Sequence, residues 1–221
     1  MKKSLVIVLL LGLVALAFWL PGCGKEETGL DTTEGRPERV TAYDAVQYTK
    51  PKADNWQSEN WAIQVREGDP DGLGRDGKAK IWTVYFFSPT PEEDSQLQVM
   101  YNRGNVWPSA PGKNKGGDDG REIYKKGKPP DFRVDSSEAY NVAIRNGGGD
   151  YKDAHPDARV TAVLRCKADY DSVGDKMPAP KYKWIWEVTF KDRAQTAESL
   201  VVQIDGMNGD FIAKESVKPA Q

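Results

Sequence analysis

The sequence predicts an α+β protein of two tandem modules, each with one helix packed on a three-stranded antiparallel sheet. Two aromatic segments, 78–88 and 181–192, place Trp, Val and Phe at matching alternate positions. A helix-capping pattern precedes each segment, and another alternating apolar segment follows it. The spacing between the copies is 94 residues at the caps, 104 at the aromatic strands and 103 at the last strands, so it changes only across loops. This pattern predicts a diverged internal repeat.

Each module begins with a helix. Thr41 is followed three residues later by Asp44, and Asp135 by Glu138. In such capping boxes the side chains satisfy backbone N–H groups that the first helical turn leaves unpaired. The second helix is predicted to stop at the three glycines 147–149.

Three alternating strands follow in each module. The first is 61–67, matched by 160–166; the second is the aromatic strand; the third is 97–101, matched by 200–204. Alternation places one set of side chains towards the core. The inward set includes Cys166, predicted to be a buried thiol, and four tryptophans: Trp61, Trp82, Trp184 and Trp186.

The start of the chain has the pattern of a lipoprotein signal peptide. Lys2 and Lys3 precede an apolar run over 5–20, which is short for a membrane-spanning helix. Gly22-Cys23 follows, and this ending resembles the bacterial lipoprotein cleavage box, in which the cysteine is acylated. We expect lipid attachment at Cys23 and a location on the extracytoplasmic side of the cell envelope. In a host with an outer membrane, we expect that membrane to hold the anchor. The alternative is an uncleaved N-terminal anchor with an incidental thiol.

These signals divide the chain into five parts. They are the signal peptide 1–22, a flexible tether 23–38, the first module 39–107, a linker 108–131 rich in Pro, Gly and Lys, and the second module 132–215.

The charge balance argues against nucleic acid as a partner. The chain has 31 basic and 33 acidic residues, mixed along its length, so no basic footprint for a phosphate backbone is present. Membrane association is therefore expected to depend on the lipid anchor alone.

The second module resembles the PepSY-like modules of bacterial envelope proteins. The resemblance rests on 136–143, on the W-x-V-x-F strand from Trp186 to Phe190, and on the ending 202–212. In that ending, Asp205, Gly206 and Gly209 match the structural turn after the last strand. The match is weaker over 40–106. The resemblance implies a non-catalytic extracytoplasmic module that regulates or inhibits peptidases or other envelope partners.

No catalytic set or cofactor motif is evident. His155 is the single histidine, and no G-x-S-x-G elbow accompanies it. We therefore predict no enzyme and no cofactor, and a protein or peptide as the partner. Candidate partner-binding residues are Trp56, Trp107 and Trp184, since tryptophan is enriched at binding hot spots.

The alternative is a calcium-binding or small-ligand-binding envelope protein that uses its Asp-rich loops. In the first loop, Asp69, Asp71 and Asp76 are weak metal candidates. In an EF-hand frame, Lys78 occupies the position where a bidentate Glu is needed. A polar hairpin loop without metal is the simpler interpretation.

Overall fold

The computed structural model describes residues 35–90, 95–112, 127–169, 181–194 and 197–218. They belong to one compact unit, Thr33–Gln221. The elements in chain order are α1 Ala42–Trp56, β1 Trp61–Glu67, β2 Ile81–Phe87, β3 Gln96–Asn102, β4 Asn105–Pro108, α2 Ser136–Ala143, a wide turn Ile144–Gly148, α3 Gly149–Ala154, β5 Arg159–Asp169, β6 Lys181–Lys191, β7 Ser199–Asp205 and β8 Phe211–Val217.

The strands form one eight-stranded antiparallel sheet in the order β4-β3-β2-β1-β5-β6-β7-β8. The prediction of two tandem modules, each with its own three-stranded sheet, is wrong. The first strands of the two blocks pair with each other, with Val65 opposite Leu164 and Arg66 opposite Val163. Two separate sheets would each have left a first strand as an unpaired edge, and this pairing removes both edges.

Each block also contributes a fourth strand that was not predicted. β4 follows the tight turn at Arg103-Gly104, and β8 follows the turn after Asp205. β4 has only four residues, and every residue of β8 is exposed, so neither shows the half-buried alternation by which the other strands were recognised. These two short or exposed strands form the edges of the sheet.

The two helix caps hold the blocks together. Thr41 and Asp44 form the predicted capping box of α1. Asp135 is the N-cap of α2, as predicted, but its side chain accepts from Ser136 N–H and not from Glu138 N–H, so the predicted box is not formed there. The side chains at the start of α2 also cap α1: Ala42 N–H donates to Ser136 Oγ at 2.9 Å, and Tyr43 N–H donates to Asp135 Oδ1 at 3.0 Å. The first N–H groups of a helix have no hydrogen-bond partner within the helix. In α1, two of these N–H groups therefore bond to side chains of the other block.

The core lies on one face of the sheet, beneath α1 and α2. Val65 and Leu164 are paired across the central strands and both fully buried, so the two blocks bury the same face. Each block has an indole N–H that donates to a backbone carbonyl at 2.9 Å, Trp82 to Val40 and Trp186 to Val134. The predictions that Cys166 and four tryptophans are buried are confirmed: Trp61, Trp82, Trp184 and Trp186.

The end of α2 differs from the prediction of a simple stop. The chain makes a wide turn in which Gly147 has φ +115°, then continues as α3. Gly148 lies against the ring of Phe190, and a Cβ at this position would be 2.2 Å from Cζ of that ring. The glycines therefore allow the turn and the close contact between helix and sheet.

Candidate functional site

The face of the sheet opposite the helices is open within the described part of the chain. Its side chains alternate with the buried ones and are half-buried or exposed, for example Thr83 and Tyr85 on β2 and Val163 on β5. Threonine, tyrosine and valine side chains provide both apolar area and hydroxyl groups. An uncovered sheet face of this composition is suited to binding another chain.

A depression of about 380 Å³ lies in this region, where β1, β2 and β5 run side by side. Arg66 lies beside Thr83 on one neighbouring strand and Val163 on the other. The depression therefore forms at the junction of the two blocks, and neither block would form it alone. Its lining includes Arg66, Thr83, Tyr85, Arg159, Thr161 and Val163.

The lining of the depression carries two guanidinium groups. Arg66 is exposed, and among the described residues it forms no ion pair. Arg159 donates to the backbone oxygen of Asp69 at 2.5 Å, and its Nη2 lies 3.7 Å from Oε2 of Glu67. Arginine is suited to planar recognition of carboxylates, so the unpaired Arg66 favours an acidic group in the depression.

A second group of charges extends the basic character along the same face. On β5 and β6, Arg165 forms an ion pair with Glu187, and Lys167 lies 3.7 Å from the same carboxylate. Two cations thus share one anion beside the depression.

Glu67 is a buried acid at the edge of the depression. Its side chain is 0 % exposed, and neither carboxylate oxygen has a hydrogen-bond partner among the described residues. Burial raises the pKa of the Glu67 carboxyl to about 7, and the Arg159 guanidinium opposes this shift only in part. The carboxyl therefore titrates near neutral pH.

The three tryptophans proposed to bind a partner lie in different places. Trp107 is 59 % exposed and lies on β4, opposite Met100 on the open face. Trp56 ends α1 and is half-buried against the core. Trp184 is buried, and its indole N–H donates to the Pro130 carbonyl at 2.6 Å.

The turn after β7 is held by side-chain and backbone hydrogen bonds. Asp205 Oδ1 accepts from Met207 N–H at 2.7 Å, and Gly209 has φ +79°. The Gly206 carbonyl accepts from the N–H groups of Arg133 and Val134, both at 3.0 Å. The turn thereby holds the segment that leads into α2.

The carboxylates of the first Asp-rich loop bind the protein itself. Asp69 is buried and accepts from the N–H groups of Asp71 and Lys80, both at 2.9 Å. Asp71 pairs with the Lys80 ammonium at 3.1 Å, which lowers the pKa of Asp71, and Asp76 pairs with Arg39 at 3.3 Å. The described residues contain no group of three or more His, Cys, Asp or Glu arranged for a metal ion.

The depression was not predicted from the sequence. Arg66 and Thr161 are outward residues of alternating strands, and alternation by itself assigns such residues no role in binding. The sequence feature that could have indicated the depression is the position of these two residues on the first strand of each block. These are the two strands that pair with each other.

Cys23 lies outside the described residues. Within the described ranges, no helix is long and apolar enough to cross a membrane.

No family model matches the chain, and no curated protein matches it. The chain is similar to a crystal structure of a "putative lipoprotein" from Clostridium difficile 630, with a TM-score of 0.48 and 11% sequence identity. The similarity covers 84% of this chain and 97% of the other. The comparisons do not confirm the resemblance to PepSY-like modules.

Proposed function

We propose that this protein is a non-catalytic, lipid-anchored protein of the cell envelope that binds an acidic segment of a protein partner on the open face of its sheet. The observation that carries the proposal is the depression at the junction of the blocks, with the unpaired Arg66 in its lining. The role towards the partner is regulatory, as in the PepSY-like modules that the second block resembles, and peptidases are one class of partner.

The anchor is supported by the sequence alone. The basic start, the apolar run over 5–20 and Gly22-Cys23 form the pattern that lipoprotein processing uses. After processing, Cys23 carries the acyl chains, and the tether 23–38 connects them to the folded unit. Several acyl chains hold a protein at a membrane far more firmly than one, since each buried CH₂ contributes about 0.8 kcal/mol.

The chemistry of the face supports an extended acidic partner. Hydroxyl groups of Thr83, Thr161 and Tyr85 offer hydrogen bonds, while Val163 offers apolar contact between them. Arg66 provides the charge. On the same face, Trp107 gives a large exposed ring, a residue type that dominates binding energy at interfaces.

Photocrosslinking in native membranes tests the binding face. A photoreactive amino acid replaces Val163 in the full-length chain, and the control replaces Asn141, which is exposed on α2. We expect a discrete adduct from position 163 only, and Arg66→Glu should abolish it. Arg193→Glu, in an exposed turn, is the matched charge control and should leave the adduct unchanged.

Adducts from position 141 alone, no adduct from position 163, or an adduct that persists in Arg66→Glu would each contradict the proposed face. A robust hydrolytic activity of the purified protein that does not depend on the partner would contradict the non-catalytic assignment.

A further inference from the structure

One row of side chains crosses the open face of the sheet from β4 to β5. In this row, Trp107 lies opposite Met100, and Met100 lies opposite Thr83. Thr83 in turn lies opposite Arg66, and Arg66 lies opposite Val163. The strand pairing thus places Trp107 and Arg66 in one continuous row, with two other side chains between them.

Every member of the row projects from the open face. Successive side chains of a strand point to opposite faces of its sheet. The chain neighbours of the row residues are buried in the core, and they include Val106 on β4, Val99 and Tyr101 on β3, Trp82 and Val84 on β2, and Val65 on β1. The row itself therefore faces away from the core and the helices.

The two ends of the row from Trp107 to Arg66 differ in chemistry. Trp107 is 59 % exposed and lies beside the thioether side chain of Met100, so this end offers an apolar contact. Arg66 is exposed and forms no ion pair among the described residues. A guanidinium binds a carboxylate through two parallel hydrogen bonds. One end therefore fits an apolar side chain, and the other end fits a carboxylate.

The distance between the two ends fits an extended chain. Neighbouring strands lie about 4.8 Å apart, so the three strand intervals from β4 to β1 separate Trp107 from Arg66 by about 14 Å. An extended chain advances about 3.4 Å per residue and turns every second side chain to the same side. Side chains four residues apart in an extended segment therefore point the same way and lie about 14 Å apart. On a helix, side chains four residues apart are only about 6 Å apart.

We propose that this row selects its partner by spacing, and that it binds an extended segment in which an apolar side chain and an Asp or Glu lie four residues apart. The apolar side chain packs on Trp107 and Met100, and the carboxylate accepts from the guanidinium of Arg66. The side chain midway between them lies over the contact of Met100 with Thr83. This inference rests on the proposed function, since it specifies the acidic segment that the open face binds.

Nuclear magnetic resonance of the ¹⁵N-labelled full-length chain in phosphatidylcholine nanodiscs tests the spacing. The probes are capped peptides of Ser and Thr that carry one Leu and one Asp, placed two, four or six residues apart and made in both orders. All three spacings turn the two side chains to the same side, so only the distance differs. We expect the four-residue spacing to bind about tenfold more tightly than the others, the effect of one additional anchoring contact.

Variants of the two end residues test which end holds which group. Trp107→Ala should weaken the four-residue peptide about tenfold and leave the same peptide with Ser in place of Leu unchanged. Arg66→Gln should likewise weaken the four-residue peptide about tenfold and leave its counterpart with Asn in place of Asp unchanged. Phe211→Ala, an exposed apolar residue outside the row, and Arg193→Gln, in an exposed turn, are the matched controls and should change neither.

The outcomes separate the spacing rule from the proposed function. Equal affinity for the three spacings, or an affinity for the four-residue peptide that Trp107→Ala leaves unchanged, would overturn the spacing rule. Acidic binding at the face stands in that case if Arg66→Gln still weakens every peptide that contains Asp. If no such peptide binds up to its solubility limit, or if Arg66→Gln changes nothing, both are overturned.

Docking of the same face on lipid is a further outcome. A shift of the Trp107 indole resonance when phosphatidylglycerol replaces phosphatidylcholine, without any peptide, would assign the face to the membrane surface and overturn the inference. The three spacings measured on the wild-type chain decide the matter even where a variant does not fold.

Discussion

Replacing Glu67 by Gln should remove a large pH dependence of stability. The carboxyl has a pKa of about 7 in the folded chain, raised by burial from 4.5. The folded state therefore holds a proton that the unfolded state releases. The stability that this group contributes is fully present below pH 4.5 and is lost as the pH rises through about 7. Each pKa unit corresponds to about 1.4 kcal/mol, so the loss approaches about 3 kcal/mol.

The assay is chemical denaturation of the full-length chain and of Glu67→Gln at pH values from about 4 to about 8. Gln resembles the protonated acid in size and charge, so the two proteins should be nearly equally stable at the acid end. At the alkaline end the variant should be more stable, by about 3 kcal/mol in the free energy of unfolding. Glu59→Gln, an exposed residue after α1, controls for the loss of any carboxylate. A constant difference across the range, or a variant less stable at the alkaline end, would refute the reasoning.

Three other predictions concern the anchor and the packing. Cys23→Ala should abolish incorporation of labelled palmitate and release the protein from membranes, measured by fractionation. Gly148→Ala should destabilise the chain by about 1 to 3 kcal/mol, because its Cβ would meet the Phe190 ring at 2.2 Å, and denaturation curves should show it. Trp82→Phe and Trp186→Phe should each cost about 2 kcal/mol or more in unfolding free energy, because each leaves a buried carbonyl without its indole donor. If either variant were as stable as the wild type, the stabilising role of its indole hydrogen bond would be contradicted.

Local elements of the fold could be predicted because local rules govern them. Alternation identified three strands in each block, and the caps at Thr41 and Asp135 identified two helix starts. These signals depend on side chains a few residues apart in the chain. The internal repeat was inferred in the same way, and a common duplicated origin stays a prediction.

The pairing of β1 with β5 could not be predicted in this way. Whether two sheets stay separate or join depends on which strand edges pair. The hydrogen bonds between paired strands join backbone groups, which nearly every residue carries, so the side-chain pattern does not specify which edges pair. For the same reason Arg66 was not recognised as a site residue, since its setting beside Thr83 and Val163 depends on that pairing.

By itself, the sequence determined the leader pattern, the starts of two helices, six of the eight strands in their order, and the side chains of those strands that face the core. Periodicity and capping are properties of neighbouring residues, so a single chain displays them. Only the tertiary structure decided that the two blocks share one sheet, because that contact joins residues about a hundred positions apart, such as Val65 and Leu164. The depression lies where the blocks meet, and so this candidate site became visible only once that junction was known.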